Sequence, residues 1–356
     1  SVCGGIGTRN ALVGSIDAST AYSATVSTDF GNYDDETGYV PSDLGEFGEF
    51  AKQQNYDAVV GLRSSVQTLE LGDFDALVEG AAQVDLLVDP QDGLTIGDVV
   101  QASGLKLTDY AGSAVNDGYE KFPVYVMKLS QVNAALELAG KPALALDAGE
   151  CAVFSDSDIT RSFYEQAIKQ GTSLDVSGRA FKLASFHGDT LQTTPVPMNT
   201  GSIVVPDDAV PADAAIIQTM LNVQCGSDED MTAFGEMMSA VSDTNEPNTW
   251  PIAMAFTRAD VYDHSIGLST VVSCLAIYLG FVLVVACAAI LAIQQLSEAS
   301  DSAPRYGLLR KLGAPEGMIS GSIFVQVLVY FLFPLALAVA HSCCALAVVT
   351  DVVAVC

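Results

Sequence analysis

Basic residues are scarce in this chain: 15 Lys and Arg stand against 43 Asp and Glu in 356 residues, a formal charge of −28. Neutralising a phosphate backbone needs clustered Lys and Arg, so a nucleic-acid binder is excluded. Histidine is scarcer still. His187, His264 and His341 lie too far apart for a short zinc motif. HExxH and GxSxG are absent, and so is GxxxxGK[ST], since Gly140-Lys141 runs into a proline. The chain therefore carries no catalytic, metal or cofactor-binding pattern, reads as a non-enzyme, and does not hold ATP by a P-loop of its own. The acidic cluster Asp29, Asp34, Asp35 and Glu36 lacks EF-hand spacing and reads as a solvated loop. The eight cysteines (3, 151, 225, 274, 287, 343, 344 and 356) form no CxxC and no framework spacing, which leaves a Cys151–Cys225 bridge open.

What is plentiful is apolar: 50% of residues are hydrophobic, only 16% are charged, and mean hydropathy is +0.35. Acidic disordered chains are poor in apolar residues, so disorder is excluded as well. A chain both acidic and hydrophobic keeps the two characters apart. After Asp263 the only charged side chains are Glu298, Asp301, Arg305, Arg310, Lys311, Glu316 and Asp351, so residues 265–356 carry −1 and residues 1–264 carry −27. Within the second part, Ser265 to Ser297 contains no charge, and Ile266–Ile293 would be a helix of about 42 Å. A bilayer core of about 30 Å needs about 20 apolar residues. A second uncharged run, Gly317 to Thr350, has its best span at Ile319–Ala340 and contains Pro334, which membrane helices tolerate. His341, at the end of that span, reads first as a helix-packing residue. The apolar tail from Ala345 to Cys356 reads as too short to span.

Between the spans, Arg305, Arg310 and Lys311 mark a short loop that stays cytoplasmic, which places the acidic part outside. The expected organisation is an extracytoplasmic domain over 1–264, a transmembrane helix over 265–294, a cytoplasmic loop over 295–317, a second transmembrane helix over 318–342, and the start of another membrane segment over 343–356. The opening SVCGGIG, without initiator Met or signal peptide, reads as the trailing edge of an earlier span, so a piece of a longer polytopic protein is expected. Cys3 as a lipid anchor is the rival reading.

The acidic part alternates short strands and helices, an α+β pattern. Lys121–Leu129 reads as a strand and Ser130 as the cap of a helix stopped by Gly140. Ala143–Leu146 reads as a strand. Ser157–Gln170 reads as a helix with Ile159, Phe163, Ala167 and Ile168 on one face. Ser177-Gly178 marks a hairpin between Leu174–Val176 and Ala180–Leu183. Ser202–Val205 is a strand ended by Pro206. Ser227 caps a helix with acids in its first turn. Trp250–Phe256 is a last strand with Trp250 as anchor, and Thr257 caps a helix running into the first span. An unbroken helix there would couple domain and membrane mechanically.

The loop is the informative segment. Pro304 suits a first helical turn, Arg305 to Leu312 follow, and Gly313 ends the helix. Tyr306, Leu309, Leu312 and Gly313 fall on one side, and Arg305 and Lys311 elsewhere; Leu308 and Arg310 complete the same run. Such a helix suits an interfacial anchor or a handle for a soluble partner equally well.

The run TRADVYDHSIGL, then AIYLGFVLVVACAAILAIQQLSEASDSAPRYGLLRKLGA, then FPLALAVAHS, resembles the FtsX-like permease domain of ABC transporters, and within it the bacitracin-export type of permease. The specific parts are the QQLSEA stretch, Arg305-Tyr306, the Leu309–Gly313 core, Pro334 and His341-Ser342. KLSQVNAALELAGKPALAL and GSIVVPDDAVP resemble that family's outer domain more loosely. The resemblance implies a permease half with a bundle of further helices. A separate ATPase subunit would grip residues 304–313 as a coupling helix, and no cofactor would be held by this chain. It implies a bacterial plasma-membrane protein that acts on antimicrobial peptides, in some members signalling to a histidine kinase. A charge of −27 would steer a cationic peptide, although a uniformly acidic host proteome would produce the same figure. A ligand-sensing scaffold and a division-type regulator of a wall hydrolase are the alternatives; the size of the outer domain argues against the latter.

Overall fold

The structure, a computed structural model, describes residues 20–34, 36–111, 117–195 and 199–353. The readings placed on Cys3, on SVCGGIG, on Asp35 and on Cys356 lie outside the described residues. The described residues up to Ser265 form one compact unit and those from Ile266 another.

The first unit is α+β, built on a mixed sheet. In chain order it holds β1 (Ala24–Asp29), the hairpin β2 (Gly31–Asp34) and β3 (Gly38–Pro41), helices α1 (Gly45–Gln53), α2 (Ala58–Thr68) and α3 (Phe74–Leu77), and the long strand β4 (Val78–Val88). Helices α4 (Ile96–Ser103) and α5 (Thr108–Ala111), β5 (Val126–Lys128), α6 (Leu129–Leu138), β6 (Glu150–Phe154) and α7 (Asp158–Lys169) follow. The hairpin β7 (Ser173–Val176) and β8 (Arg179–His187), then β9 (Ser202–Val205), β10 (Ala215–Cys225), α8 (Asp228–Ser242) and β11 (Met254–Thr257) complete it. Nine strands pair in the order β11-β1-β10-β4-β5-β9-β6-β8-β7, while β2 and β3 pair with each other. β5–β9 and β6–β8 are parallel and the other pairs in the sheet antiparallel.

Period-two alternation assigns the faces. On one face Val26, Leu221 and Val223 meet Leu62, Phe234 and Trp250, beneath α2 and α8. Further along, Cys151, Val153, Ile203 and Val205 meet Ile96 and Phe163 from α4 and α7. The intervening residues Ala152, Phe154, Val204, Met220 and Val84 look the other way, toward Val132 and Leu136 of α6. Trp250 is fixed by three contacts: its indole N–H donates to Thr28 Oγ1 at 2.8 Å, its backbone N–H to Ser65 Oγ at 2.7 Å, and Gly61 leaves room for its ring. Among the described residues, one carboxylate is buried in this unit with its oxygens satisfied: Asp85 accepts from Gln83 Nε2 (2.8 Å), Thr219 Oγ1 (2.8 Å) and Gln131 Nε2 (2.6 Å). Such a network is stable only while every member is paired.

Local signals were met where they were self-contained. Ser177 (φ 50°) and Gly178 (φ 80°) both sit in the left-handed region that a tight two-residue hairpin demands. Ser227 Oγ caps α8 by accepting from the Asp230 N–H at 3.1 Å. Gly140 (φ 68°) ends α6, with the Lys141 N–H returning to the Leu136 carbonyl at 2.8 Å. Other readings are corrected. Lys121–Leu129 is mostly not strand: a 3₁₀ turn ends at Lys121, Pro123 makes an isolated bridge to Thr95, and only Val126–Lys128 is a strand of the sheet. Ser130 does not cap α6; the Asp207 carboxylate, distant in sequence, accepts the Ser130 N–H at 3.0 Å. Ala143–Leu146 is no strand, because Asn133 takes both backbone groups of Leu144 (2.7 and 3.0 Å). On α7 the buried face carries Thr160 and Tyr164 with Phe163 and Ala167, and Ile159 is exposed. The last strand begins at Met254, after Trp250. Cys151 and Cys225 are free thiols, the first buried, so no bridge joins them.

The second unit contains two long helices, α9 (Arg258–Lys311), which begins in the first unit, and α10 (Glu316–Val353). Both are long and apolar enough to cross a membrane, by length and composition, and their most apolar windows are not buried within the protein.

Candidate functional site

At 1.5 Å per residue, the 54 residues of α9 span about 81 Å, far more than a bilayer core of about 30 Å. Its start is fixed by a reciprocal cap: Asp260 N–H donates to Thr257 Oγ1 (3.1 Å) and Thr257 N–H to the Asp260 carboxylate (2.8 Å). Its end is equally definite. Gly313 takes φ 89°, its N–H reaches the Arg310 carbonyl, and the Ala314 N–H reaches the Leu309 carbonyl, both at 3.1 Å. This is a Schellman termination, which explains why glycine follows the run Leu309-Arg310-Lys311-Leu312.

Between these ends the helix is unbroken, which overturns the expectation of a separate loop helix begun by Pro304. Pro304 sits inside α9. It removes one N–H donor, to the Ser300 carbonyl, from a ladder that continues on both sides. Residues 304–311 are therefore the last turns of α9, and the true connection is Leu312–Pro315. The apolar run ends at Ile293, so Pro304 lies about 16 Å further along the axis. The apolar tail is corrected too: residues 345–353 continue α10 without a break.

The predicted site residues do not converge on one point. Arg305, Leu308, Leu309, Arg310, Lys311, Leu312 and Gly313 are exposed around the end of α9, with Leu312 at 76%. Tyr306 turns inward, its hydroxyl donating to Gln326 Oε1 of α10 at 3.4 Å. Pro334 and His341 are exposed on α10, well along the chain from the turn. The sequence reading passed over the groups that tie the turn together. Gln326 Nε2 donates to Glu298 at 2.8 Å, so one amide holds two turns of α9. Arg310 and Glu316 form a two-pronged ion pair across the connection, both contacts at 2.9 Å. Between the helices, a groove of about 580 Å³ is lined by Ala299, Ala303 and Gly307 on one side and Ile319 and Ile323 on the other. The signal for Gln326 was present, since it is the one amide in Ile319–Ala340, and a lone amide in an apolar helix finds an interhelical partner.

Two members of the acidic cluster, Asp34 and Glu36, have protein partners. Asp34 accepts from the Glu36 and Thr37 N–H groups, which hold its carboxyl below the usual range, and Glu36 pairs with Lys121 at 2.6 Å. Burial pushes the Cys151 thiol up to about 12 and Cys225 up to about 11, so neither is a thiolate nucleophile at neutral pH.

Fold and site together define an α+β domain joined in sequence to a pair of long apolar helices. No family model matches the chain, and no curated protein matches it.

Proposed function

We propose that this chain is the permease subunit of an ABC transporter of the FtsX-like kind, in a bacterial plasma membrane. In this reading the α+β domain lies outside, the apolar stretches of α9 and α10 cross the bilayer, and Leu312–Pro315 is cytoplasmic. The observation that carries the proposal is the single helix from the Thr257 cap to the Gly313 termination, ending in exposed Leu308, Leu309, Leu312, Arg305, Arg310 and Lys311. A separate ATPase subunit grips that end. Because the site stands beyond the apolar run, it is presented to a soluble partner instead of lying among lipid headgroups. A push on a continuous helix is transmitted along its axis, so nucleotide-driven closure moves the outer domain. The cargo is an antimicrobial peptide.

Replacing Leu309 and Leu312 with Asp in the membrane-embedded protein should abolish co-purification of the ATPase while membrane insertion is unchanged. Normal co-purification would sink the assignment. For orientation, a Ser302→Cys variant lacking its native cysteines should resist an impermeant thiol reagent in intact cells and react once the membrane is opened. Labelling from outside would reverse the topology.

A second reading, a ligand-sensing scaffold that signals to a histidine kinase, is favoured by one observation: the α+β domain contains a ligand-sized cavity. Capture of a kinase in place of an ATPase would favour it.

A further inference from the structure

The cavity lies within the α+β domain, over the sheet face that carries Met127 and Met220, and encloses about 430 Å³. Small-molecule sites run from about 300 to 1,000 Å³ and combine an apolar lining with a few placed polar groups. This one has both. Its floor contains the buried side chains of Met127, Leu191 and Met220. Three carboxylates, Asp29, Asp156 and Asp189, line it, and the described lining residues include no Lys, Arg or His. Lys141 pairs with Asp189 at 2.7 Å. Asp29, exposed at the end of β1, accepts only the neutral amide of Gln218, at 2.6 Å, among its described contacts. Tyr125 lines the cavity with it, near enough to feel its charge: burial and then Asp29 raise the phenol above its ordinary value, so the hydroxyl stays protonated and the ring uncharged. A carboxylate beside an aromatic ring, above an apolar floor, suits one ligand class well. A cation is attracted by both, and an alkyl chain behind it is desolvated by the methionines.

We propose that this cavity binds the side chain of a cationic peptide, a primary ammonium held by Asp29 beside Tyr125 with its methylene chain over Met127, Leu191 and Met220. The inference deepens the peptide-handling reading above and rests on it for the ligand's origin, but the binding itself needs no ATPase. Capture of the ATPase and occupation of the cavity therefore fail separately.

The test uses the full chain in lipid nanodiscs with ¹³C-methyl-labelled methionines, so that Met127 and Met220 report from the floor. Three probes share one backbone: Nα-acetyl-lysine amide, its uncharged norleucine counterpart, and its acidic aminoadipate counterpart. The lysine probe should shift both methyl signals saturably at up to roughly 10 mM, weakening as salt is raised, while the other two leave them in place. Asp29→Asn keeps the shape and the contact with Gln218 but removes the charge, and should weaken the lysine probe by about tenfold or more. No shift at either methionine, equal titration by the aminoadipate probe, or unchanged affinity in Asp29→Asn would each overturn the proposal. If the substitution disturbs the unbound spectrum, the three probes on the wild-type chain decide the matter alone.

Discussion

In the α+β domain the large apolar side chains face inward: Trp250 is 1% exposed, and Phe154, Phe163 and Phe181 are equally buried. In α9 and α10 they face outward, with Phe281 at 68% and Leu296 at 74%. The two regions draw on the same residue types. They differ in pattern. The domain's central strands, such as β6 and β9, send apolar side chains to both faces, where packed helices cover them, whereas the long helices are apolar all round along their spans and have nothing packed over them among the described residues. A helix of that kind is at rest only where its surroundings are themselves apolar, and these two do not bury one another. The polar groups follow the same division. Asp85 is buried and fully paired inside the domain, while in the helices the Glu298–Gln326–Tyr306 contacts gather toward the turn, where the apolar run of α9 has ended.

The contrast is broken most severely at Trp250. Trp250→Ala empties a site built from Gly61, Ser65 and Thr28 and should cost about 3–5 kcal/mol, seen as a lowered unfolding midpoint of the sheet by circular dichroism. A change under about 1 kcal/mol would mean that the burial of Trp250 does not anchor this half. Next comes Leu283→Arg, which places a charge in the middle of the apolar run of α9. It should oppose membrane insertion by about 2.5–3.5 kcal/mol and deplete the protein from the alkali-washed membrane fraction. If variant and wild type both fractionate as water-soluble, the outward-facing residues need another explanation.

The smallest effect sharpens the domain side alone. His187 stacks on Phe154, with ring centroids 4.7 Å apart, and burial lowers its pKa below 6.5 against a weaker opposing pull from Asp189. The unfolded chain therefore takes up a proton that the folded imidazole refuses. The stability this contributes is fully present above the unfolded pKa and is lost as pH falls through the depressed folded value. His187→Phe keeps the stack, so its unfolding midpoint should drop less than that of wild type between pH 7.5 and 5.5. Parallel curves would show that the imidazole plays no part.

Much of what was legible in the sequence rests on interactions spanning a few residues. The Ser177-Gly178 turn, the Ser227 and Thr257 caps and the Gly140 and Gly313 terminations each close a hydrogen bond within one turn of chain, so the residue types suffice. The helical run of residues 304–313 was legible for the same reason, but its independence was not. Pro304 reads as a start because proline favours a first turn, yet a helix already propagating from Thr257 loses only one bond in crossing it. Ser130 misled in a similar way. It has the right type for a cap, but the helix already begins at Leu129, and Ser130's own backbone N–H donates to Asp207, brought in by the chain after β9. Of the candidate site, Arg305 to Gly313 could be named in advance, while Glu298 and Gln326 became partners only when α10 folded back on α9.

By itself, then, the sequence determined where the apolar helices run, where several elements start and stop, and that the chain combines helices and strands. These are matters of composition and of contacts a few residues apart. Tertiary structure alone decided that β4 pairs with β10, that β5 sits between β4 and β9, and that Asp29, Tyr125, Leu191 and Met220 line one cavity. Those contacts join residues tens to more than a hundred positions apart. Their loop-closure cost is offset only when many such contacts form together, and no local pattern records which ones do.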